Sequence, residues 1–314
     1  MNIGIDMMGG DFAPAEAVKG ARLFLQSDSP PATLFLFGDQ SQLEPLIQSE
    51  DLPANKIRVI PTTQVIGMHE HPTRALKEKP QSSIAAGFHF LASGKIDAFI
   101  SAGNTGAMLV GTMYSIKALE GVLRPTISTI IPKENGGTGL LVDVGLNADC
   151  KPEQLNQFAV LGSLYARHIL GIENPTVGLV NIGEEEGKGN LLAQAAYPLL
   201  KENNLINFAG NIEGRDVLMD KADVMVCDGF TGNIILKMAE SFYEISQRKN
   251  INHPYFDRFN FENYGGTPVL GVSKPVIIGH GISHAKAFYN MILLAQKIIT
   301  SGLTDVMKES FLNR

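Results

Sequence analysis

A layered α/β fold with parallel strands is what the sequence predicts, and three observations carry it. Short, almost wholly apolar runs recur at Asn2–Ile5, Thr33–Phe37, Ala98–Ile100, Gly139–Val142, Val177–Val180, Ile206–Ala209, Val224–Cys227 and Val276–Ile278. They lack the apolar/polar alternation of a half-exposed strand, so they read as strands buried on both faces. Helical patterns at Ala15–Gln26, Ser82–Ala92, Pro152–Leu170 and Ala285–Ser301 alternate with them, which is the order of a sheet covered by helices. Finally, most of the runs feed directly into turns rich in Gly, Asn and Asp.

Size and composition set the frame. A chain of 314 residues that is 44% hydrophobic and 18% charged can bury a substantial core. No Pro/Gly/Ser-rich linker divides it, so residues 1–314 are expected to form a single domain. No apolar run approaches the roughly 20 residues that cross a bilayer. The opening "MNIGIDMMGGD" lacks the basic and apolar regions of a signal peptide, and a cytoplasmic protein is expected. Two cysteines far apart, Cys150 and Cys227, form no CxxC and support neither a disulfide framework nor a zinc site. The net charge of -6 argues against nucleic acid as a partner.

Taken in order, the strand-end turns are "DMMGGDFAP", "SAGNTGA", "DVGLNAD", "NIGEEEGKGN", "DGFTGN" and "GHGISHA". In open α/β sheets ligands sit outside the carboxyl ends of strands, where such turns gather. Two of them share the frame Gly-x-Thr-Gly: Gly103-Asn104-Thr105-Gly106 and Gly229-Phe230-Thr231-Gly232. Glycines admit close backbone approach, and Thr105 and Thr231 are expected to cap the following helices, leaving N–H donors for an anion. An Asn104→Asp exchange is then expected to disturb phosphate binding with little change in melting temperature. Lys188, between Gly187 and Gly189, can reach a phosphate or a developing oxyanion. The preceding Glu184, Glu185 and Glu186 are expected to face water rather than a cation.

The remaining chemical inventory is thin. No G-x-S-x-G elbow, Walker A sequence, HExxH or complete dinucleotide fingerprint occurs. Neither His280 with His284 nor His69 with His71 makes a convincing metal pair, and no metal is expected. Cys227 reads as a buried structural thiol more readily than as an acyl carrier. Such an inventory favours a reaction whose attacking group arrives with the substrate.

Seven segments, "DMMGGDFAP" (Asp6 to Pro14), "SAGNTGA", "RP" (Arg124, Pro125), "LVDVGLNADCKPEQLNQFA", "GLVNIGEEEGKGN", "VCDGFTGNIILK" and "NYGGTPVLGV", together resemble the bacterial phosphate acyltransferases of phospholipid synthesis. The match runs in order from Asn2 to about Ala295. The resemblance implies a three-layer α/β/α fold like that of isocitrate and isopropylmalate dehydrogenases, and a homodimer. It also implies transfer of an acyl group from acyl-acyl carrier protein to inorganic phosphate, giving acyl phosphate for phosphatidic acid synthesis.

Phosphate is already a nucleophile, so such a reaction requires positioning and oxyanion stabilisation, with no ATP, nicotinamide or metal. Lys188, His280 and Asn233 are the expected catalytic groups, His280 as proton donor to the leaving thiolate or else as a cap of the last helix. Asp6, Gly9, Gly10, Asp11, Gly103, Asn104, Thr105, Gly106, Asp228, Gly229, Thr231 and Gly232 are the expected substrate-binding residues.

The segment from about 238 to 263 is shorter than the family's usual helical arm and rich in aromatics. Packing of these against a dimer mate is expected over contact with a membrane surface. Two alternatives stand beside this reading: a phosphotransacetylase-like enzyme using acyl-coenzyme A, and a non-catalytic phosphate or nucleotide sensor.

Overall fold

The computed structural model describes residues 1–312. Its first part runs β1 (Asn2–Asp6), α1 (Ala15–Gln26), β2 (Thr33–Gly38), α2 (Gln40–Ser49), β3 (Ile57–Pro61), α3 (Pro72–Glu78), α4 (Ser83–Ala92), β4 (Ala98–Ser101) and α5 (Thr105–Gly111). Next come β5 (Thr126–Pro132), β6 (Thr138–Val142), α6 (Pro152–Tyr165), β7 (Thr176–Asn181), α7 (Leu191–Lys201), β8 (Asn207–Glu213), β9 (Val224–Val226), α8 (Gly229–Arg248) and α9 (Pro254–Asp257). The chain closes with β10 (Thr267–Leu270), β11 (Val276–Ile278), α10 (Ala285–Thr300) and α11 (Leu303–Leu312). The helical pattern expected at Pro152–Leu170 is α6 followed by a π-helical turn at Ala166–Leu170.

The chain divides into two compact units, Met1–Ala118 with Phe261–Thr304, and Leu119–Asn260 with Asp305–Arg314. In the first unit the strand order is β3-β2-β1-β4-β11-β10, parallel apart from β10 against β11. In the second it is β5-β6-β9-β7-β8, parallel apart from β5 against β6. This is the mostly parallel α/β architecture that the apolar runs predicted. All four residues of β4 and all three of β9 are buried, so both faces of each central strand are covered. Edge strands differ: in β8 the first residues alternate between exposed and half-buried.

Three strands went unread in the sequence: β3, β5 and β10. Each contains a proline, and β3 is exposed at its second residue, as an edge strand can be.

The aromatic segment packs on its own unit. Phe259 is buried, with the rings of Phe242 and Tyr255 at 5.3 and 5.2 Å. Arg258 donates to the carbonyls of Lys133 and Gly137, at 3.1 and 2.5 Å, and so ties the segment to the β5–β6 hairpin. Four of the aromatics set aside for a dimer mate, Phe242, Tyr255, Phe256 and Phe259, thus contact one another.

Helices α1 and α10 meet at Gly20, where a Cβ would press on Phe288 and stand 2.8 Å from the Ala285 carbonyl. Alanine ordinarily favours a helix over glycine by about 1 kcal/mol, but overpacking costs about 1–3 kcal/mol. Gly20→Ala is therefore expected to destabilise the protein, measured as a lower urea midpoint. An unchanged midpoint would mean that the two helices can separate without cost.

Candidate active site

In the first unit the site is organised by Asp6, fully buried at the end of β1. Its Oδ1 accepts from the Met8 N–H at 3.0 Å and its Oδ2 from the Ser101 hydroxyl at 2.6 Å. Ser101 in turn accepts from the Gly103 N–H at 2.9 Å. One carboxylate therefore fixes both the turn after β1 and the turn after β4. Burial pushes the Asp6 carboxyl above its ordinary value, while hydrogen bonds from Ser101, Ser83, Met8 and Gly9 hold it back.

The two turns touch backbone to backbone. A Cβ on Gly9 would strike Asp6 and stand 2.6 Å from the Gly103 nitrogen. Gly10, at φ +102, lies under the Gly281 carbonyl, which also accepts from the Asp11 N–H at 2.7 Å. His280 precedes that contact, with its ring 4.5 Å from that of Phe261. The last long helix opens instead at His284, so His280 is not its cap. Asp6, Gly9, Gly10, Asp11, Gly103 and His280 are thereby gathered at one end of this unit's sheet.

Asn104, not Thr105, is the N-cap of α5. Its Oδ1 accepts from Ala107 at 2.9 Å, and its Nδ2 donates to the carbonyls of Gly67, Met68 and Glu70 at 2.9, 3.1 and 3.0 Å. The side chain is thus spent on the protein. What the helix start offers a ligand is the N–H groups of Thr105 and Gly106, first-turn donors without intrahelical acceptors. A neutral cap leaves the positive end of the helix uncompensated.

The second unit repeats the device. Asp143, following β6, is fully buried; its Oδ1 accepts from Gly145 and Leu146 at 3.1 Å, and its Oδ2 from the backbone and side-chain nitrogens of Asn147 at 2.8 and 2.7 Å. Burial raises this carboxyl too, against the hydrogen bonds of Leu146, Asn147 and Gly145. The ionised forms of Asp6 and Asp143 each cost stability at neutral pH. That cost is relieved as pH falls through the raised folded value towards the ordinary 3.8.

Around Asp143 the turn after β9 closes tightly. Gly229 donates to the Asn147 carbonyl at 2.7 Å, and a Cβ on Gly232 would collide with the Asp143 carbonyl. Asn233 donates to Val144 at 3.1 Å. Asp228, not Thr231, caps α8, accepting from the Thr231 N–H and hydroxyl at 2.8 and 2.9 Å. Here the cap is a carboxylate, which already answers the helix dipole.

Lys188 stands apart from that cluster, on the loop after β7. Its ammonium lies 4.0 Å from Glu185 and its side chain is 52% exposed. Glu186 pairs with Lys201 at 3.0 Å and Glu184 with Lys221, so the acidic triplet faces lysines at the surface. Among the described residues no group of three or more His, Cys, Asp and Glu is arranged to hold a metal ion. Cys227 is buried, and desolvation, with Asp228, Asp143 and Cys150 near it, pushes its thiol well above the ordinary value. Burial, with Asp143 adding to it, pushes the Cys150 thiol up to about 11.

Ser101, Asp143 and Asn147 were not singled out from the sequence. A signal was there: an aspartate ends an apolar run immediately before a glycine turn in both "GIDMMGG" and "LVDVG".

The chain shares its fold with a phosphotransacetylase from Streptococcus pyogenes (TM-score 0.68, 17% identity, 95% of this chain and 94% of that one). It is likewise similar to a branched-chain phosphotransacylase from Enterococcus faecalis V583 (TM-score 0.59, 14% identity, 95% and 99%). Residues 1–306 match the fatty acid synthesis protein family. The phosphate acyltransferase of Halothermothrix orenii is 41% identical over 98% of both chains, and that of Brevibacillus brevis 40% over 99% of this chain and 97% of its own. The chain belongs to this phosphate acyltransferase family and is an acyltransferase.

The geometry reverses the thermal neutrality expected of Asn104→Asp. A carboxylate there would face three carbonyl oxygens while 4% exposed, and a buried group stripped of its partners costs about 1–3 kcal/mol or more. The variant is expected to melt well below the parent in calorimetry. An unchanged melting temperature would mean that the 67–70 loop is not held by this side chain.

Proposed function

We propose that this acyltransferase moves a fatty acyl group from acyl-acyl carrier protein to inorganic phosphate, giving acyl phosphate for phosphatidic acid synthesis. Phosphate attacks the thioester directly. The observation that supports direct attack is the placement of the chain's two cysteines: Cys227 is buried with its thiol on the Asp143 carbonyl at 3.6 Å, Cys150 is half-buried, and burial pushes both thiols upward. An acyl-enzyme needs a nucleophile, and neither thiol is activated.

Phosphate, largely anionic at neutral pH, supplies its own. One of its oxygens bonds to the thioester carbon, and the carbonyl electron pair moves onto oxygen. The resulting tetrahedral oxyanion collapses, the C–S bond breaks with its pair on sulfur, and the thiolate takes up a proton. Both acyl groups are activated, so no ATP, nicotinamide or metal is required.

Residue roles follow from each turn's own chemistry. The start of α5, with its neutral cap and the N–H groups of Thr105 and Gly106, is the better seat for phosphate. Asp6, Gly9, Gly10, Asp11 and Gly103 shape that seat by holding its turns. Asp228, Gly229, Thr231, Gly232 and Asn233 are kept as substrate-binding and catalytic candidates of the second unit, where the carboxylate cap of α8 makes a poorer seat for free phosphate. Lys188 stabilises the oxyanion, and His280 protonates the leaving thiolate.

Residues 1–314 are read as one functional domain, since a single family spans 1–306. The protein is read as a cytoplasmic homodimer. Ile234, Met238 and Ile245 on α8, 53, 56 and 42% exposed, offer apolar surface for a second subunit or, more weakly, a membrane surface. Among the described residues no helix is long and apolar enough to cross a membrane.

The reading is tested with purified protein, hexadecanoyl-acyl carrier protein and phosphate, trapping acyl phosphate with hydroxylamine. Product from hexadecanoyl-coenzyme A alone would move the assignment to a phosphotransacetylase-like enzyme, and no product from either donor would favour a sensor.

Lys188→Ala is expected to lower kcat by about a hundredfold or more, the loss typical of one oxyanion donor, with an unchanged melting temperature. Near-parental turnover removes Lys188 from the chemistry.

Cys150→Ser and Cys227→Ser are expected to stay active, and mass spectrometry should find no acyl-enzyme when donor is supplied without phosphate. A stable adduct on Cys227 would overturn direct attack.

A further inference from the structure

Beside the turn after β9, wholly within the second unit, lies a cavity of about 460 Å³. Its wall is built by Leu155 of α6, Leu179 of β7, Leu192 and Ala193 of α7, Cys227, and Ile182. That volume lies within the usual range for ligand sites, about 300–1,000 Å³. It is more than ten times the roughly 30 Å³ share of one water, far larger than a phosphate needs.

The polar side chains on the wall are turned to one another. Asn181 donates to the Lys188 carbonyl at 3.1 Å and to Asn211 at 3.0 Å, and accepts from the Ile182 N–H at 2.8 Å. Asn190 caps α7 by accepting from the Ala193 N–H at 2.9 Å. Both Asp228 oxygens accept from Thr231. The Cys227 thiol is neutral and acts as a small apolar surface. Near the cavity, Ile182 and Leu191 keep 82% and 86% of their surface in water, an apolar edge that a hydrocarbon would cover.

We propose that this cavity takes the acyl chain of the thioester donor. The proposal rests on the acyl-transfer reading above and adds a specificity determinant to it. Ala193, nine-tenths buried on the wall, sets the room available, so a larger side chain there shortens the chain that fits.

The test compares kcat/KM for hexadecanoyl and butanoyl donors in the parent and in Ala193→Leu, with Ala193→Val as a smaller step should the leucine variant misfold. The hexadecanoyl-to-butanoyl ratio is expected to fall about tenfold or more in Ala193→Leu, since even one methylene in a fitted pocket changes discrimination by about 10–200-fold. Ala193→Val should show a smaller fall. Equal losses for both donors would mean that the cavity holds the carrier's pantetheine arm instead, and an unchanged ratio that it holds no part of the donor; either overturns the proposal. Parent protein that makes no acyl phosphate from any donor overturns the acyl-transfer reading itself, and the cavity's role with it.

Discussion

A buried carboxylate holding the backbone of a glycine turn is the constraint on which both units depend. Asp6 ends β1 and Asp143 follows β6, and the parallel neighbours of these strands, β4 and β9, carry the Gly-x-Thr-Gly turns. Neither carboxylate reaches outward; each spends its oxygens on N–H and hydroxyl donors of its own unit. Removing a charge from water is unfavourable, as the raised values of both groups register. The return is rigidity: turns that would otherwise sample many conformations are held in one. Preorganised donors of this kind are what a transfer reaction by an incoming nucleophile requires.

Glycine is legible in sequence, yet its reason is not. The glycines of the two turns suggested room for a ligand, and the structure uses Gly9, Gly103 and Gly232 chiefly to let one turn of the protein lie against another. Capping shows the same limit. Asn, Asp and Thr are all good caps, and which one acts depends on where the strand ends. β4 stops at Ser101 and β9 at Val226, so Asn104 and Asp228 fall at the cap and both threonines inside the helix. A shift of one or two residues in a strand end is beyond what an apolar run defines.

The strands themselves were largely readable. Eight apolar runs became strands, and all but the edge strand β8 stand out because covered strands need few polar residues. β3, β5 and β10 are interrupted by proline or polar residues and blend with loops. Asp143 left a signal at the end of its apolar run, whereas Asn147 escaped notice since only the fold brings the turn after β6 against Gly229. The aromatic segment illustrates the converse: its composition announces burial, but Lys133 and Gly137, which Arg258 grips, are more than a hundred residues away in sequence.

The protonated thiols carry a consequence outside acyl transfer. Peroxide and disulfide reagents attack thiolate, and sulfenic acid forms where thiolate character and exposure coincide. Cys227 sits sealed under the turn it helps to build, and Cys150 holds its proton to about pH 11. Neither cysteine of the chain therefore presents the exposed, activated thiolate that such reagents need.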